Sequence, residues 1–194
     1  VVKTIEALSY IAPVYYAPGN HEMRLSETGR KKDRFEDLMF ELECMDVAYL
    51  NDQRAILTEE MYVHGLNIDE RFYNKFGKEY KMTPEYIREK LGTPDQRKFN
   101  ILLAHNPKYF NTYVQMGYDL VLCGHYHGGI VNVPKYGPLI SPDLKFFPDH
   151  AAGAYKKSGT IVIVSKGAGA HLINVRLFNR PEVVVVDIVN DNMQ

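Results

Sequence analysis

The stretch DLVLCGHYHGG, residues 119–129, constrains this chain more than any other. Leu120–Cys123 is a short apolar run of the kind that makes a buried strand; Gly124 breaks it, and His125 and His127 follow two residues apart. On an extended backbone, residues i and i+2 face the same side, so both imidazoles meet at the end of a strand in a metal-ligand arrangement. The flanking glycines let the backbone turn sharply there. Two further stretches share this build: apolar residues 14–17 lead into Gly19-Asn20-His21-Glu22, and apolar residues 101–103 lead into Ala104-His105-Asn106-Pro107. Three strands that each end in a polar cluster predict a sheet whose carboxyl ends converge, which is where open α/β sheets bind ligands.

A chain of 194 residues with 45% hydrophobic side chains fits one domain, residues 1–194, with a proper core. A formal charge of −1 gives no basic field, so no nucleic-acid partner is expected and any polyanion contact would be local. Cys44 and Cys123 fall in an apolar helix pattern and an apolar strand; they are too few for a disulfide framework and are read as buried structural thiols. No apolar run approaches the ~18 residues of a membrane span, and no signal peptide is visible. The chain opens at Val1 directly into an amphipathic pattern, so an upstream segment is expected to have been removed. A targeting or membrane-tethering element could have gone with it, which leaves cytoplasmic and membrane-associated locations both open.

Helices are predicted over 2–12, closed by Pro13, and over 33–45, with Phe35, Leu38, Met39 and Leu42 on one face. Residues 13–17 read as a strand, 19–32 as polar and charged loop, and 55–58 with 61–68 as a hairpin. Within residues 71–99, a surface insert expected to wall a substrate groove, Thr83 reads as an N-cap, Pro84 as the first helical residue and Gly92 as the stop. Residues 98–104, 107–116 and 119–123 then form strand, helix and strand, a parallel crossover. Residues 131–153, with Pro134, Pro138, Pro142 and Pro148, read as a long loop with little periodicity, of a kind that is usually functional or disordered. Residues 160–165, 172–177 and 182–189 are predicted as three strands of an antiparallel closing sheet.

A lone histidine is more often a satisfied core or surface residue than a ligand, but clusters at three strand ends are harder to dismiss. Asn20, His105, His125 and His127 offer one or two divalent cations a mixed nitrogen and oxygen shell suited to Mn, Fe or Zn. His21 is a fifth polar group at the same place. An imidazole beside a metal-bound phosphate is well placed to protonate a leaving alkoxide, because its pKa lies near neutrality. Arg24 is a candidate for substrate phosphate and His171 for the rim of the site; a solvated loop side chain is the plain alternative for each. His64 and His150 are assigned no role.

GNHE, then an apolar strand ending in His-Asn-Pro, then GHYHGG, resembles the second half of the calcineurin-like metallophosphoesterase signature, whose full form is D-x-H, GDxxD, GNH(D/E), H and GHxH. The HGG ending and the stretch SKGAGAHLINVRLFNRPEVVVVDI are similar to the bacterial branch of membrane-associated phosphodiesterases. The resemblance implies that Asn20, His105 and His125 ligate one metal, that His127 ligates the other, and that His21 is the general acid. Two metals would hold a hydroxide for in-line attack and neutralise charge growing on the phosphoryl oxygens. No D-x-H or GDxxD precedes GNHE here, so the bridging aspartate, two further ligands and the acid that would orient His21 are missing from the pattern.

The expectation is therefore an α/β metallophosphoesterase, a layered β-sandwich flanked by helices with its N-terminal strands truncated. It would hydrolyse a small phosphomonoester or phosphodiester through two divalent metal ions in the full-length protein, with one or none held by this chain alone. Stripped of its carboxylates, the chain is expected to be weakly active or inactive. Surface exposed by a missing strand would favour a homodimer. The alternative is a non-catalytic binding module on the same fold, which has no physical use for five polar groups at strand ends.

Overall fold

A computed structural model describes residues 2–27, 32–73, 80–129, 131–133, 137–140, 150–169 and 179–189. In chain order the elements are α1 (Val2–Ser9), β1 (Tyr15–Tyr16), α2 (Asn20–Glu27), α3 (Lys32–Cys44), β2 (Ala48–Tyr49), β3 (Gln53–Thr58), β4 (Met61–Leu66), a 3-10 turn (Glu70–Tyr73), α4 (Pro84–Leu91), β5 (Phe99–Ala104), α5 (Phe110–Met116), β6 (Leu120–Cys123), β7 (Val131–Val133), β8 (Gly137–Ile140), β9 (Gly153–Lys157) and β10 (Thr160–Val164).

Side-chain alternation builds the centre. Six strands in the order β3-β4-β5-β6-β10-β9 form one sheet, with parallel pairing from β4 through β5 and β6 to β10 and antiparallel edges at β3 and β9. One face carries Leu66, Leu102, Ala104, Val121, Cys123, Val162 and Val164, packed with Ile87 of α4 and Tyr113 and Met116 of α5. The other carries Val63, Ile101 and Leu120 against Leu50 and Tyr15. These contacts belong to a second, two-stranded parallel sheet, β1 with β2. Ile5 of α1 and Leu42 of α3 cover that sheet from outside, packing with Val14, Tyr16 and Tyr49. The result is an α/β stack of helices, sheet, sheet and helices, in which each fully buried aliphatic side chain such as Leu102 contributes about 1.5–3 kcal/mol.

Several expectations need correction. The polar loop after β1 is helical from Asn20, because Glu22 in the first turn accepts a hydrogen bond from the Gly19 amide at 3.0 Å and satisfies an orphan donor. Cys44 is exposed, since its helix turns a different stripe, centred on Leu42, inward. β10 pairs in parallel with β6, not only antiparallel with its neighbour, and β9 was not foreseen. Residues 182–189 form no ladder among the described residues, and Val183 and Val185 are 85% and 84% exposed. Their β-branched alternation marks strand propensity, which is realised only against a partner strand. Residues 172–177, the stretch 74–79 of the insert and most of the proline-rich loop lie outside the described residues.

On the helix-covered face, His64 is 1% exposed, and its Nε2 stands 3.1 Å from Asn100 Oδ1. Asn100 Nδ2 already donates to the carbonyls of Asp95 and Lys98, so its Oδ1 is the acceptor and His64 donates from Nε2. His64 Nδ1 has no hydrogen-bond partner among the described residues. Burial lowers the His64 pKa; the Asn100 bond opposes this and the charge of Arg54 adds to it. A folded pKa below the unfolded one means that the unfolded chain takes up a proton the folded chain refuses. Stability should therefore fall as pH drops below about 6.5 and level off beneath the folded value. Denaturant midpoints compared between about pH 7.5 and about pH 5.5 should fall less in His64→Gln, which keeps a donor for Asn100 and removes the titration. An equal fall in both proteins would refute this account of the pair.

Candidate metal centre

The polar clusters do converge, but not for the reason that strand alternation predicts. His125 and His127 lie past the end of β6 in a left-handed turn, with φ of 65° and 50°, followed by Gly128 and Gly129 at 68° and 85°. Left-handed backbone costs a residue with a Cβ on the order of 1–2 kcal/mol, so two such residues flanking Tyr126 are strain held in place by their surroundings. Asn179 does much of the holding: its Nδ2 donates to the carbonyls of His127 and Gly129 at 2.6 and 2.7 Å, and a Cβ on Gly128 would lie 2.7 Å from Asn179 Oδ1. Only a glycine fits there.

His105 follows β5 directly, and its ring centre lies 5.2 Å from that of His125. Two imidazoles bound to one cation through metal–nitrogen bonds of about 2.0–2.1 Å have ring centres about 5 Å apart, so this spacing suits a shared metal. Burial, and then the neighbouring rings of His125, His127 and His21 in that order, push the His105 pKa down to about 3. An imidazole kept neutral is the form that ligates. Gly19 brings the first cluster in: a Cβ there would stand 3.1 Å from His105 Cε1, so the backbone just before Asn20 and His21 abuts the His105 ring. Asn20 is 8% exposed at the start of α2, and His21, next to it, is exposed.

Two residues that the sequence did not reveal shape the floor. Tyr73 closes the 3-10 turn after β4 and sets its ring 5.1 Å from His125 and 6.4 Å from His105. Tyr16 hydrogen-bonds Glu22, and burial and that carboxylate raise its pKa, so the phenol stays a donor and fixes the carboxylate that caps Gly19. Neither tyrosine belongs to a motif; each is found only once the layers are stacked. Arg24 lies with its Nε 3.3 Å from Glu70 Oε1, at the side of the site. His171 lies outside the described residues.

Among the described residues no three His, Cys, Asp or Glu side chains stand in a ready cation cluster. The donors present are imidazoles and one amide, so they fit the nitrogen-rich part of a borderline cation's shell and supply none of its carboxylate part.

Two stacked sheets between helices, with imidazoles gathered at the carboxyl ends of the strands, define a phosphoesterase-type metal scaffold. The chain belongs to the calcineurin-like phosphoesterase family, whose model matches residues 1–129. This is a family of phosphoester hydrolases that use divalent metals. The chain is 32% identical over 111 residues to an uncharacterized metallophosphoesterase of Bacillus subtilis, YkuE, covering 53% of this chain and 38% of that protein. It is 34% identical over 91 residues to the phosphodiesterase YaeI of Escherichia coli, covering 46% and 32%. To a second uncharacterized metallophosphoesterase of B. subtilis, YkoQ, it is 26% identical over 182 residues, covering 92% and 62%. The chain thus spans less than two thirds of the length of these relatives. No solved structure matches it.

Proposed function

We propose that this protein hydrolyses a phosphomonoester or phosphodiester, with Asn20, His105 and His125 holding one divalent cation, His127 belonging to a second, and His21 acting as general acid. The observation that carries the reading is the convergence of His105 and His125 at 5.2 Å, with His21 and His127 close enough to depress the His105 pKa. Mn, Fe or Zn suits this donor set. Bound there, such cations supply Lewis-acid neutralisation of the phosphoryl oxygens.

The chain's own residues divide the remaining work. Tyr73 and the Gly19 backbone both pack near the His105 ring and restrict its movement. Asn179 fixes the turn that presents His125 and His127. His21, exposed next to the buried Asn20, would be the group that hands a proton to a departing alkoxide. Arg24 is the candidate for contact with substrate phosphate, held ready by Glu70.

Titrating Mn²⁺ or Zn²⁺ into the metal-free protein tests the ligand set. His105→Ala and His125→Ala should each weaken binding at least about 10–100-fold, the loss typical even for residues that only support a ligand. Unchanged affinity in both variants would remove the metal site, and the proposed hydrolysis with it. Because neither D-x-H nor GDxxD occurs before GNHE, these 194 residues alone should turn over weakly.

A further inference from the structure

The chain that leaves β4 for the candidate metal centre, residues 67–71, is held by α4. Tyr86 and Lys90 stand one helical turn apart, so both reach it from one face of that helix. Tyr86 Oη accepts from the Asp69 amide at 3.0 Å and donates to the Asn67 carbonyl at 3.3 Å. Lys90 Nζ donates to Asp52 Oδ2 at 2.6 Å and lies 3.1 Å from Asp69 Oδ1. Asp52 Oδ1 in turn accepts from the Asn67 amide at 2.8 Å.

One ammonium thus joins three pieces of chain: the end of α4, the turn before β3 and the connection after β4. The Lys90 and Asp52 side chains are only 20% and 25% exposed, so water screens this pair less than an ordinary surface pair. Asp69 has a second cation, Arg71, at 3.3 Å in a half-exposed pair. Among the described residues Lys90 is the cation that pairs with Asp52. Without the ammonium, the carboxylates of Asp52 and Asp69 would be left as neighbouring like charges, and their repulsion would push the connection outward.

The connection leads directly into the site. The Phe72 amide donates to the Asp69 carbonyl at 3.0 Å, so the 3-10 turn Glu70–Tyr73 starts from the residue that Lys90 holds. That turn sets Glu70 3.3 Å from Arg24 and the Tyr73 ring 5.1 Å from the His125 ring. Its far end is pinned by Tyr109, whose hydroxyl donates to the Phe72 carbonyl at 2.8 Å, and the Tyr86 ring packs on Phe72 at 4.7 Å. His125 itself sits in left-handed backbone, a conformation that needs support from its surroundings.

We propose that Lys90 is a positioning residue for the candidate metal centre: by neutralising Asp52 and Asp69 it fixes the turn that packs Tyr73 on His125, and so restricts that imidazole. The consequence for metal rests on the reading of His125 as a ligand; the consequence for the ring does not.

The test reads the two separately. The His125 imidazole shifts are recorded in metal-free protein in chelator, where the ring current of Tyr73 marks their packing, and Tyr73→Leu gives their position with that ring absent. Lys90→Met should move the His125 signals toward the Tyr73→Leu position and weaken Mn²⁺ binding by about tenfold, the lower end of the loss typical for residues that support a ligand. Adding Asp52→Asn should bring both back toward the parent. The amide keeps Oδ1 for the Asn67 backbone, removes one of the two negative charges, and tolerates the left-handed φ of 52° at this position. A general loosening of the fold would not be relieved by altering the second partner of the same pair. Tyr86→Phe, which keeps Lys90 and loses only a hydroxyl, should move the His125 signals in the same direction and carries the comparison if Lys90→Met does not fold. Parent shifts in the folded Lys90→Met protein, or in Tyr86→Phe where that protein stands in for it, overturn the proposal, and so does a displacement that Asp52→Asn leaves unrelieved. Displaced His125 signals with parent Mn²⁺ affinity overturn the positioning role at the metal. A parent protein that binds no Mn²⁺ counts against the metal-centre reading and leaves the ring result standing.

Discussion

Gly65→Ala is expected to cost more than 3 kcal/mol, above the usual overpacking range of about 1–3 kcal/mol, and to lower the melting temperature by on the order of 10 °C. A Cβ at this position would lie 2.3 Å from the Leu50 carbonyl oxygen and 2.4 Å from Leu50 Cβ. Neither side can yield cheaply. Gly65 is fixed in the sheet between Gln53 of β3 and Leu103 of β5. Leu50 is 4% exposed and is tied by its amide to the Tyr16 carbonyl at 2.7 Å. The contact is the closest approach of the two sheets seen at any described glycine, and it bears on function. β1 delivers Gly19 and Asn20, and β5 delivers His105, so a methyl group that pushes the sheets apart also draws the proposed amide ligand, Asn20, away from the imidazoles. Metal affinity should fall even at temperatures where the variant remains folded. Gly159→Ala is the control: its φ of 89° is left-handed, but nothing lies within 4 Å, so only backbone strain of about 1–2 kcal/mol applies. A Gly65→Ala melt within about 2 °C of the parent would mean that the sheets slide freely, contrary to tight interior packing.

What the sequence made legible was local. Thr83, Pro84 and Gly92 each act within one turn of themselves, and the structure has Thr83 Oγ1 accepting from the Tyr86 amide and the helix running Pro84–Leu91. The strand, helix and strand order from β5 to β6 was equally readable, because a strand buried on both faces shows as a short continuous apolar run, here ILLA and LVLC. Elements that exist only by tertiary contact were not. β1 and β2 are two residues each and hold together through parallel pairing across 32 intervening positions or so of helix and turn. The site divides the same way. The histidines announced themselves by spacing after apolar runs, yet the left-handed turn that presents His125 and His127 depends on Asn179, 52 residues from His127. Tyr73 and Tyr16 reach the site from segments with no sequence pattern that marks them, so only packing assigns them. Residues 182–189 are the converse case: a strong strand pattern with no ladder among the described residues.

His21→Ala should reduce turnover of an ester with a poor alkoxide leaving group by about 10²–10⁴-fold, the range a positioned general acid supplies. The loss should depend on what leaves. A nitrophenolate departs as a stabilised anion and needs little help from a proton, so its ester should lose far less, and this contrast distinguishes a missing acid from a damaged site. The geometry supports the separation. His21 stands exposed near the His105 ring it influences, while Asn20, the neighbouring position, is buried, as is His125. Removing His21 should therefore leave divalent-cation affinity within a few-fold of the parent, whereas His105→Ala and His125→Ala remove both affinity and turnover. Equal losses for both esters would assign His21 to positioning rather than proton transfer. No loss for either, with His125→Ala also silent, would turn the five polar side chains into a scaffold that binds without catalysing.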